Sequence, residues 1–597
     1  MKNARLQFTV FTAVFAALAY FVFRGTWTAW ACPVMPDAAM AFPETGYLRD
    51  VLRDWLADGR FSPFDLRKFA GSPYLWQELQ YAVAAYLAAL GMAYWLRGRG
   101  LSSAASFGSG LLLAFCGYWF SLFSAGHLGW FEWMAFGVFP FGLIDRAVRK
   151  NKAKNWLLLG ACEAWACFRQ ADLWLLFAVF AAAYLIRCCV RERRLPSAKG
   201  LLLCAAAFAA VGAPGIYHAF GRDLAARDAQ IGESKGTALA PDGGDDAHAR
   251  WIFATNWSLP PEETLEFAVP RANGDTSCPM TLALGRRDGT GVRPYTGALG
   301  RAYGAKSGNY RQHSLYVGLL TCLLAIAAVA GAALRKGAFR GEIAFLAASA
   351  AVFWLFSLGR NCECVYRIVY SLPFGDYLRA PVKWHHLTEF CICALAGYGL
   401  EGVRRLIASR GEFAARCASF AAFALAVAGA ADLARIDRLY CAKVDLSVVR
   451  SPNPAADEIA RRGGGRTADL VQGGNGLVAE AFKTRRIEMA ADPEDAGTRF
   501  VWAGSAASED VRVASWLKSR NATPAGVYAV GAKAIRRASP GGGANAILWE
   551  LPGAPAAAPE PPKLPEPSLA TLLGAISIAA SAAVSSYAIA KSGKKAR

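Results

Sequence analysis

The stretch Phe8–Phe23, FTVFTAVFAALAYFVF, decides the reading of this 597-residue chain. It follows a basic start and is apolar throughout, as the core of a secretory signal would be. A cleavable signal would close on small residues, but here the run continues into the bulky YFVFRGTW. The run is therefore read as a retained first membrane helix, with CPVMPDAAM (32–40) just beyond its end. Asp37, the first acidic residue of the chain, stands in that short segment.

The rest of the chain repeats the pattern. It is 55% hydrophobic, with a mean hydropathy of +0.25. Runs approaching the roughly 17–25 residues that span a bilayer recur along it. They fall at Phe8–Phe23, Leu79–Trp95, Ala104–Phe123, Trp130–Ile144, Trp156–Phe168, Leu173–Ile186, Leu201–Tyr217, Leu315–Leu334, Ile343–Leu358, Leu387–Val403, Phe413–Ala430 and Leu569–Ala590. The expected fold is a polytopic α-helical membrane protein of about twelve transmembrane helices.

The net charge of +20 follows from that topology. With the N-terminus cytoplasmic, the alternate connectors RGRG, RAVRKNKAK, RCCVRERR, RKGAFR and RRLIASR and the tail KSGKKAR all lie on one side. With the N-terminus they hold about 25 Lys and Arg, the asymmetry that the positive-inside rule expects. Both termini are thus expected to be cytoplasmic. The basicity is not a nucleic-acid signal, and no nucleic-acid motif accompanies it. Of the fifteen cysteines, Cys162, Cys167, Cys391 and Cys393 sit in apolar runs as small hydrophobes. Cys32, Cys278, Cys362, Cys364 and Cys441 fall outside them, where a disulfide is open but its pairing is not readable.

Three long segments then share the extracytoplasmic face: 24–78, 218–313 and 432–567. In the first, TGYLRDVLRDWLADGRF spaces Tyr47, Leu48, Val51, Leu52, Trp55 and Leu56 as an amphipathic helix, lying either on the membrane surface or on another external loop. The second is Gly-, Asp- and Pro-rich. Its Asp242, Asp245, Asp246 and His248 read as a solvated loop, because the surrounding glycines and prolines offer a cation no rigid cage. In the third, TADLVQGG, LVAEAF, RIEMAA, TRFVWAG and GVYAVG are strand-like and SEDVRVASWLKSRN is helical. That suggests a small outer α/β domain, followed by a stiff Pro-rich linker. The domain plan is 1–431, 432–567 and 568–597, the last a final helix with a basic tail.

Trp156–Phe168 and Leu173–Ile186 are short and separated by RQAD, as two helices or one re-entrant hairpin. Trp130–Ile144 is also short and follows SAGHLG. Polar breaks at membrane depth survive only inside protein or beside a water-filled cavity. A cavity open to the outer side is therefore expected. Asp37, His127, Glu132, Arg169, Asp172, Arg379 and Lys383 all map to the outer ends of helices or to short outer connectors, and ionisable groups at such depths mark function. Arg169 either pairs with Asp172 or meets a lipid headgroup. Lys383 is expected one helical turn beyond Arg379. His385 and His386 precede Glu389 at helical spacing, so one pairs with it. No metal-ligand spacing, P-loop, nucleophile elbow or dinucleotide fingerprint occurs.

The motifs at these positions resemble those of YfhO-like bacterial membrane proteins. RDVLRDWLADGRFSPFDLRKFAGSPYLWQ (49–77) is similar to their first outer loop, and SAGHLGWFEWMAFGVFP (124–140) to their second connector. NWSLPPEETLEFAVPRANGD (256–275), YTGALG (295–300) and SLYVG (314–318) resemble their large outer loop. VYRIVYSLPFGDYLRAPVKWHHLTEFCICALAGYGLEGV (365–403) resembles their later LP–FR–P segment. The motifs keep that order across residues 1 to 405.

These proteins are similar to GT-C-type glycosyltransferases, and the resemblance implies a GT-C-like fold and a polyprenyl-phosphate sugar donor. The acceptor would be an envelope glycan, lipid or polymer at a bacterial plasma membrane. Asp37 matches the first-loop acid and is the implied general base or metal-linked carboxylate. His127, Glu132, Arg169, Arg379 and Lys383 are the implied substrate contacts. The resemblance makes no cofactor certain and leaves a divalent cation open. The sequence departs from the pattern where AAMAF follows Asp37 and where SPFDLRKF replaces a Trp-Asn-Pro core. Two other functions stay open: a lipid-linked sugar transporter or flippase, and a non-catalytic envelope assembly protein.

Overall fold

A computed structural model describes residues 2–23, 31–33, 56, 73–125, 128–218, 246–274, 295–298, 314–334, 337–373, 375–441, 443–445, 451–469, 481–482, 487, 489–490, 498–504, 511–530, 535–538, 546–553 and 568–593. Helix α1 spans Lys2–Phe23, as the opening run predicts. Strand β1, Ala31–Pro33, follows it. Then come α2 (Pro73–Gly98), α3 (Ser103–Ala114), α4 (Gly117–Ala125), α5 (Leu128–Gly137) and α6 (Phe139–Lys150). Next are α7 (Ala153–Arg169), α8 (Ala171–Glu192), α9 (Ala198–His218) and the short α10 (Asp246–Thr255). The body is completed by α11 (Leu319–Leu334), α12 (Arg340–Ser357), α13 (Glu363–Tyr370), α14 (His385–Ala408) and α15 (Glu412–Asp437).

The chain is a helical membrane protein. Among the described residues eight helical stretches are long and apolar enough to cross a membrane, including a final one at Leu569–Lys591. The other four expected runs are built differently. Trp130–Ile144 is divided at Val138, ahead of Pro140. Trp156–Phe168 lies in α7 with Glu163 inside it. The run at Leu315 starts as extended chain and turns helical only at Leu319. Leu387–Val403 lies within α14, which is buried at nearly every residue from His385 to Glu401. A helix apolar or small on all sides belongs in a core, and α14 packs on α3, α11, α12 and α15. Its Gly399 abuts the carbonyl of Leu324 on α11, an approach that a side chain would block.

Two polar clasps join the helices. At the ends of α2, α6, α8 and α12, Arg99 reaches Asp145 and Glu342, each at 3.0 Å, and Arg191 reaches Asp145 at 2.6 Å. Nearer the opposite end, α3 and α4 separate at Phe115 and Cys116, where Gly117 N donates to Tyr316 O of the extended 314–318 segment at 3.0 Å. Backbone freed by the break is thus satisfied by protein.

Beyond α15, β2 (Lys443–Asp445) pairs antiparallel with β1, with Cys32 opposite Val444. The remainder holds α16 (Pro454–Arg461), β3 (Arg466–Asp469), β4 (Met489–Ala490), β5 (Thr498–Gly504) and α17 (Val511–Ser519). It ends with β6 (Thr523–Val530), β7 (Ile535–Arg537), β8 (Ala546–Glu550) and α18 (Leu569–Gly593). The strands form one sheet in the order β4-β3-β5-β8-β6-β7, over a core that includes Ile459, Phe482, Trp502, Tyr528 and Leu548. TRFVWAG is β5, as its short apolar run predicts. In LVAEAF the described Ala481 and Phe482 are helical rather than extended, in keeping with the helix propensity of Ala and Glu. Of the surface-helix segment 47–56, only Leu56 is described. Cys362, Cys364 and Cys441 carry free thiols.

Candidate functional site

Three interruptions in the helices meet at the end of the body opposite the Arg99 clasp. They are the start of α5, the joint between α7 and α8, and the 3-10 turn Pro381–Trp384 leading into α14. Gly129 lets the first two touch. A side chain there would stand 2.6 Å from Arg169 O and 2.8 Å from Gln170 Oε1. The joint is a single residue, Gln170, with φ −155° and ψ 88°. So RQAD separates two helices, α7 and α8.

The joint carries charge at both ends. Arg169 closes α7, where a cation suits the helix dipole, and Asp172 opens α8, where an anion does. Sequence reading allows them to pair with each other, but they do not. Arg169 donates to Glu132 of α5, whose side chain is only 4% exposed. Gln80 of α2 supplies a second donor to Glu132 at 2.5 Å. Asp172 instead takes Lys383 Nζ on Oδ2. Its Oδ1 accepts from Leu173 N at 2.8 Å and Gln170 Nε2 at 2.6 Å. Lys383 Nζ also stands 5.2 Å from the Trp130 ring. The exchange of partners follows from the helix ends: Arg169 points across to α5, and Asp172 toward the turn before α14.

That turn is strained. Ala380 adopts φ +63° and ψ +80° immediately before Pro381, at a cost of about 1–3 kcal/mol for a residue with a side chain. Arg379 and Lys383 therefore do not stack one helical turn apart. The Arg379 guanidinium lies over Phe253 and Trp257, at 5.4 and 5.1 Å from the ring centroids. Gly359, at φ +51°, fits beneath Pro381, where a side chain would come within 2.6 Å of the proline ring.

Behind Lys383 the first turns of α14 continue the polar line into the core. His386 lies among Tyr118, Trp119 and Trp130, with ring centroids at 4.1, 4.1 and 5.1 Å. Its Nδ1 is 3.1 Å from Glu389 Oε1, so His386 is the histidine that pairs. Glu389 Oε2 accepts from Cys116 Sγ at 2.9 Å. The His385 ring faces Phe267 at 4.3 Å.

The structure thus brings Glu132, Arg169 and Lys383 together, with Asp172, and sets Arg379 on an adjoining aromatic shelf. Asp37 and His127 lie outside the described residues. Gln80 and Trp130 are site residues that sequence reasoning missed. Gln80 gives no signal in its apolar run, whereas Trp130 could have been found from its place between Gly129 and Glu132 in GHLGWFEW. Glu163 accepts from Trp174 Nε1 at 2.8 Å. Among the described residues no three His, Cys, Asp or Glu side chains gather in a group fit for a metal. Asp242 and Asp245 lie outside the described residues, and His248 is exposed. Chemically, the cluster holds two carboxylates against two cations at the apolar–polar boundary. Opening one pair would present a cation to an anion, or a carboxylate to a hydroxyl.

No family model matches the chain, and no curated protein matches it. The likeness to YfhO-like proteins rests on the sequence motifs alone. Among solved structures it is similar to the arabinofuranosyltransferase AftD from Mycobacteria, with a TM-score of 0.48 and 12% identity, over 93% of this chain and 40% of that one. It is also similar to ArnT from Cupriavidus metallidurans bound to undecaprenyl phosphate, with a TM-score of 0.40 and 11% identity, over 93% of this chain and 100% of that one. This chain spans two-fifths of the AftD chain. At these TM-scores neither likeness assigns a reaction or a substrate.

Proposed function

We propose that this chain is a GT-C-type glycosyltransferase, moving a sugar from a polyprenyl-phosphate donor to an envelope glycan, lipid or polymer. The observation that carries the reading is the convergence of Glu132–Arg169 and Asp172–Lys383 beside Arg379 at the end of the body opposite the Arg99 clasp. The ordered motif resemblance across residues 1 to 405 supports it. In this reading the chain crosses a bacterial plasma membrane twelve times with both termini cytoplasmic, and 432–567 forms an outer domain. The basic connectors support that orientation.

The acceptor hydroxyl gives its proton to the Asp37 carboxylate as its oxygen bonds to the anomeric carbon. The bond from that carbon to the phosphate oxygen breaks, and polyprenyl phosphate leaves with the electron pair. A positioned base supplies about 10²–10⁴-fold. Lys383 turns from Asp172 toward the leaving phosphate and, with Arg379, balances its growing charge. Glu132, held by Arg169 and Gln80, orients acceptor hydroxyls, and His127 contributes a further hydrogen bond.

The test is Asp37→Asn in membranes supplied with a labelled polyprenyl-phosphate sugar. Loss of transfer with donor binding intact is expected. Unchanged transfer would overturn the general-base role. Donor crossing the bilayer with no sugar transferred, in the unmodified protein, would favour a flippase.

A further inference from the structure

Helix α13 has three unlike faces, each roughly a third of its circumference at 3.6 residues per turn. On the first, Tyr366 and Val369 are buried, and Tyr366 and Tyr370 approach the Trp251 ring of α10 at 6.3 and 5.1 Å. On the second, Glu363 and Arg367 form an i,i+4 ion pair at 2.6 Å, with both side chains about half exposed. The third carries Cys364 and Ile368, with Leu372 continuing the stripe just past the helix end. All three are exposed, Ile368 to 61% and Leu372 to 55%.

A separate piece of chain repeats this exposure. Leu265 in the 3-10 turn Pro261–Phe267, and Val269 just after it, are 58% and 46% exposed. Phe267 O accepts from Val317 N at 3.0 Å and Gly318 N at 3.1 Å, which pins the turn where α11 begins. Helix α13, in turn, follows the end of α12 after one 3-10 turn, Gly359–Cys362. Both exposed patches therefore adjoin the apolar helices, continuing from their outward-facing Leu319, Leu323 and Val352.

We propose that α13 lies along the bilayer surface, with Cys364, Ile368 and Leu372, together with Leu265 and Val269, seated in the leaflet on the Lys383 side. The partner is the lipid boundary itself. Apolar side chains enter the acyl region while the Glu363–Arg367 face meets water, the division expected of a surface helix. The seat also fixes the height of the site. Arg360 donates to Thr255 O at 3.2 Å, Ile252 O at 3.3 Å and Asn256 Oδ1 at 3.1 Å, tying the base of α13 to α10. Trp257, two residues beyond α10, carries Arg379. The depth of α13 thereby sets where Arg379 stands against the headgroups, whichever reaction the site performs.

Cys364 offers a native attachment point. The full chain, with exposed Cys417 changed to Ser, is labelled with an environment-sensitive fluorophore and reconstituted in phosphatidylcholine–phosphatidylglycerol vesicles. The signal of a Cys364→Ser control is subtracted. Nitroxide carried high on the lipid acyl chain is expected to quench the Cys364 probe several-fold more than aqueous iodide does. Ile368→Asn with Leu372→Asn is expected to reverse that ratio at unchanged monodisperse elution. Dominant or equal iodide quenching would overturn the proposal. So would protection from both quenchers, which would mean that protein covers the stripe.

Discussion

Replacing Arg169 by Met strips Glu132 of its cationic partner while leaving its carboxylate in place. Glu132 is almost wholly buried, and Gln80 would remain as its one named donor. A buried pair broken on one side costs about 3–5 kcal/mol, because the surviving charge is uncompensated. Glu132→Met should cost a similar amount by stranding the Arg169 guanidinium, 14% exposed, against apolar neighbours. The double variant removes both charges and leaves two apolar side chains of fitting size, which is commonly near neutral. The two single losses should therefore far exceed the loss in the double variant. The assay is equilibrium unfolding of all four proteins in mixed dodecylmaltoside–dodecylsulfate micelles, followed by tryptophan fluorescence. Additivity within about 0.5 kcal/mol, or single losses below about 1 kcal/mol, would refute the claim that this pair is coupled and desolvated.

Two further outcomes follow from named contacts. Arg379→Ala removes the guanidinium that lies over the Phe253 and Trp257 rings and, on the proposed function, should lower kcat/KM for a polyprenyl-phosphate donor about tenfold through kcat. Arg379→Lys should recover only part of that, since an ammonium lacks the planar fork; an unchanged kcat/KM in the Ala variant would refute it. On α16, hydrogen bonds from Arg461 and then Arg462 pull the Glu458 carboxyl down to about 2. A depressed folded value means that its stabilisation is complete above the ordinary carboxylate range and is lost as pH falls through about 2. Glu458→Gln should be less stable at neutral pH and should lack that part of the acid decline, read from the fluorescence of buried Trp502. An acid decline equal to that of the unmodified protein would refute the assignment.

Features that depend on neighbours along the chain are legible in the residues alone. Apolar runs of bilayer length identify helices such as α1, α8 and α9 because hydropathy sums locally, and β5 is legible because a short β-branched and aromatic run is local too. The residues also point to helix ends as the place for chemistry, since a charged residue beside an apolar run needs a polar boundary. Only the tertiary structure decided which charges meet. Lys383 and Asp172 are 211 residues apart, and nothing in the spacing around Arg169 says that it will choose Glu132. Gln80 sits in an apolar run with no motif, so its role appears only once α2 packs beside α5. The same holds for α14, one more apolar run in the sequence, whose all-round burial comes from four surrounding helices. Ala380 makes the point at the scale of one residue. Arg379 and Lys383 read as an i,i+4 pair, but the left-handed backbone before Pro381 sends one cation to Trp257 and the other to Asp172. Local patterns carry the cost of taking backbone and side chains out of water, whereas partner choice depends on distances that exist only after the helices have packed.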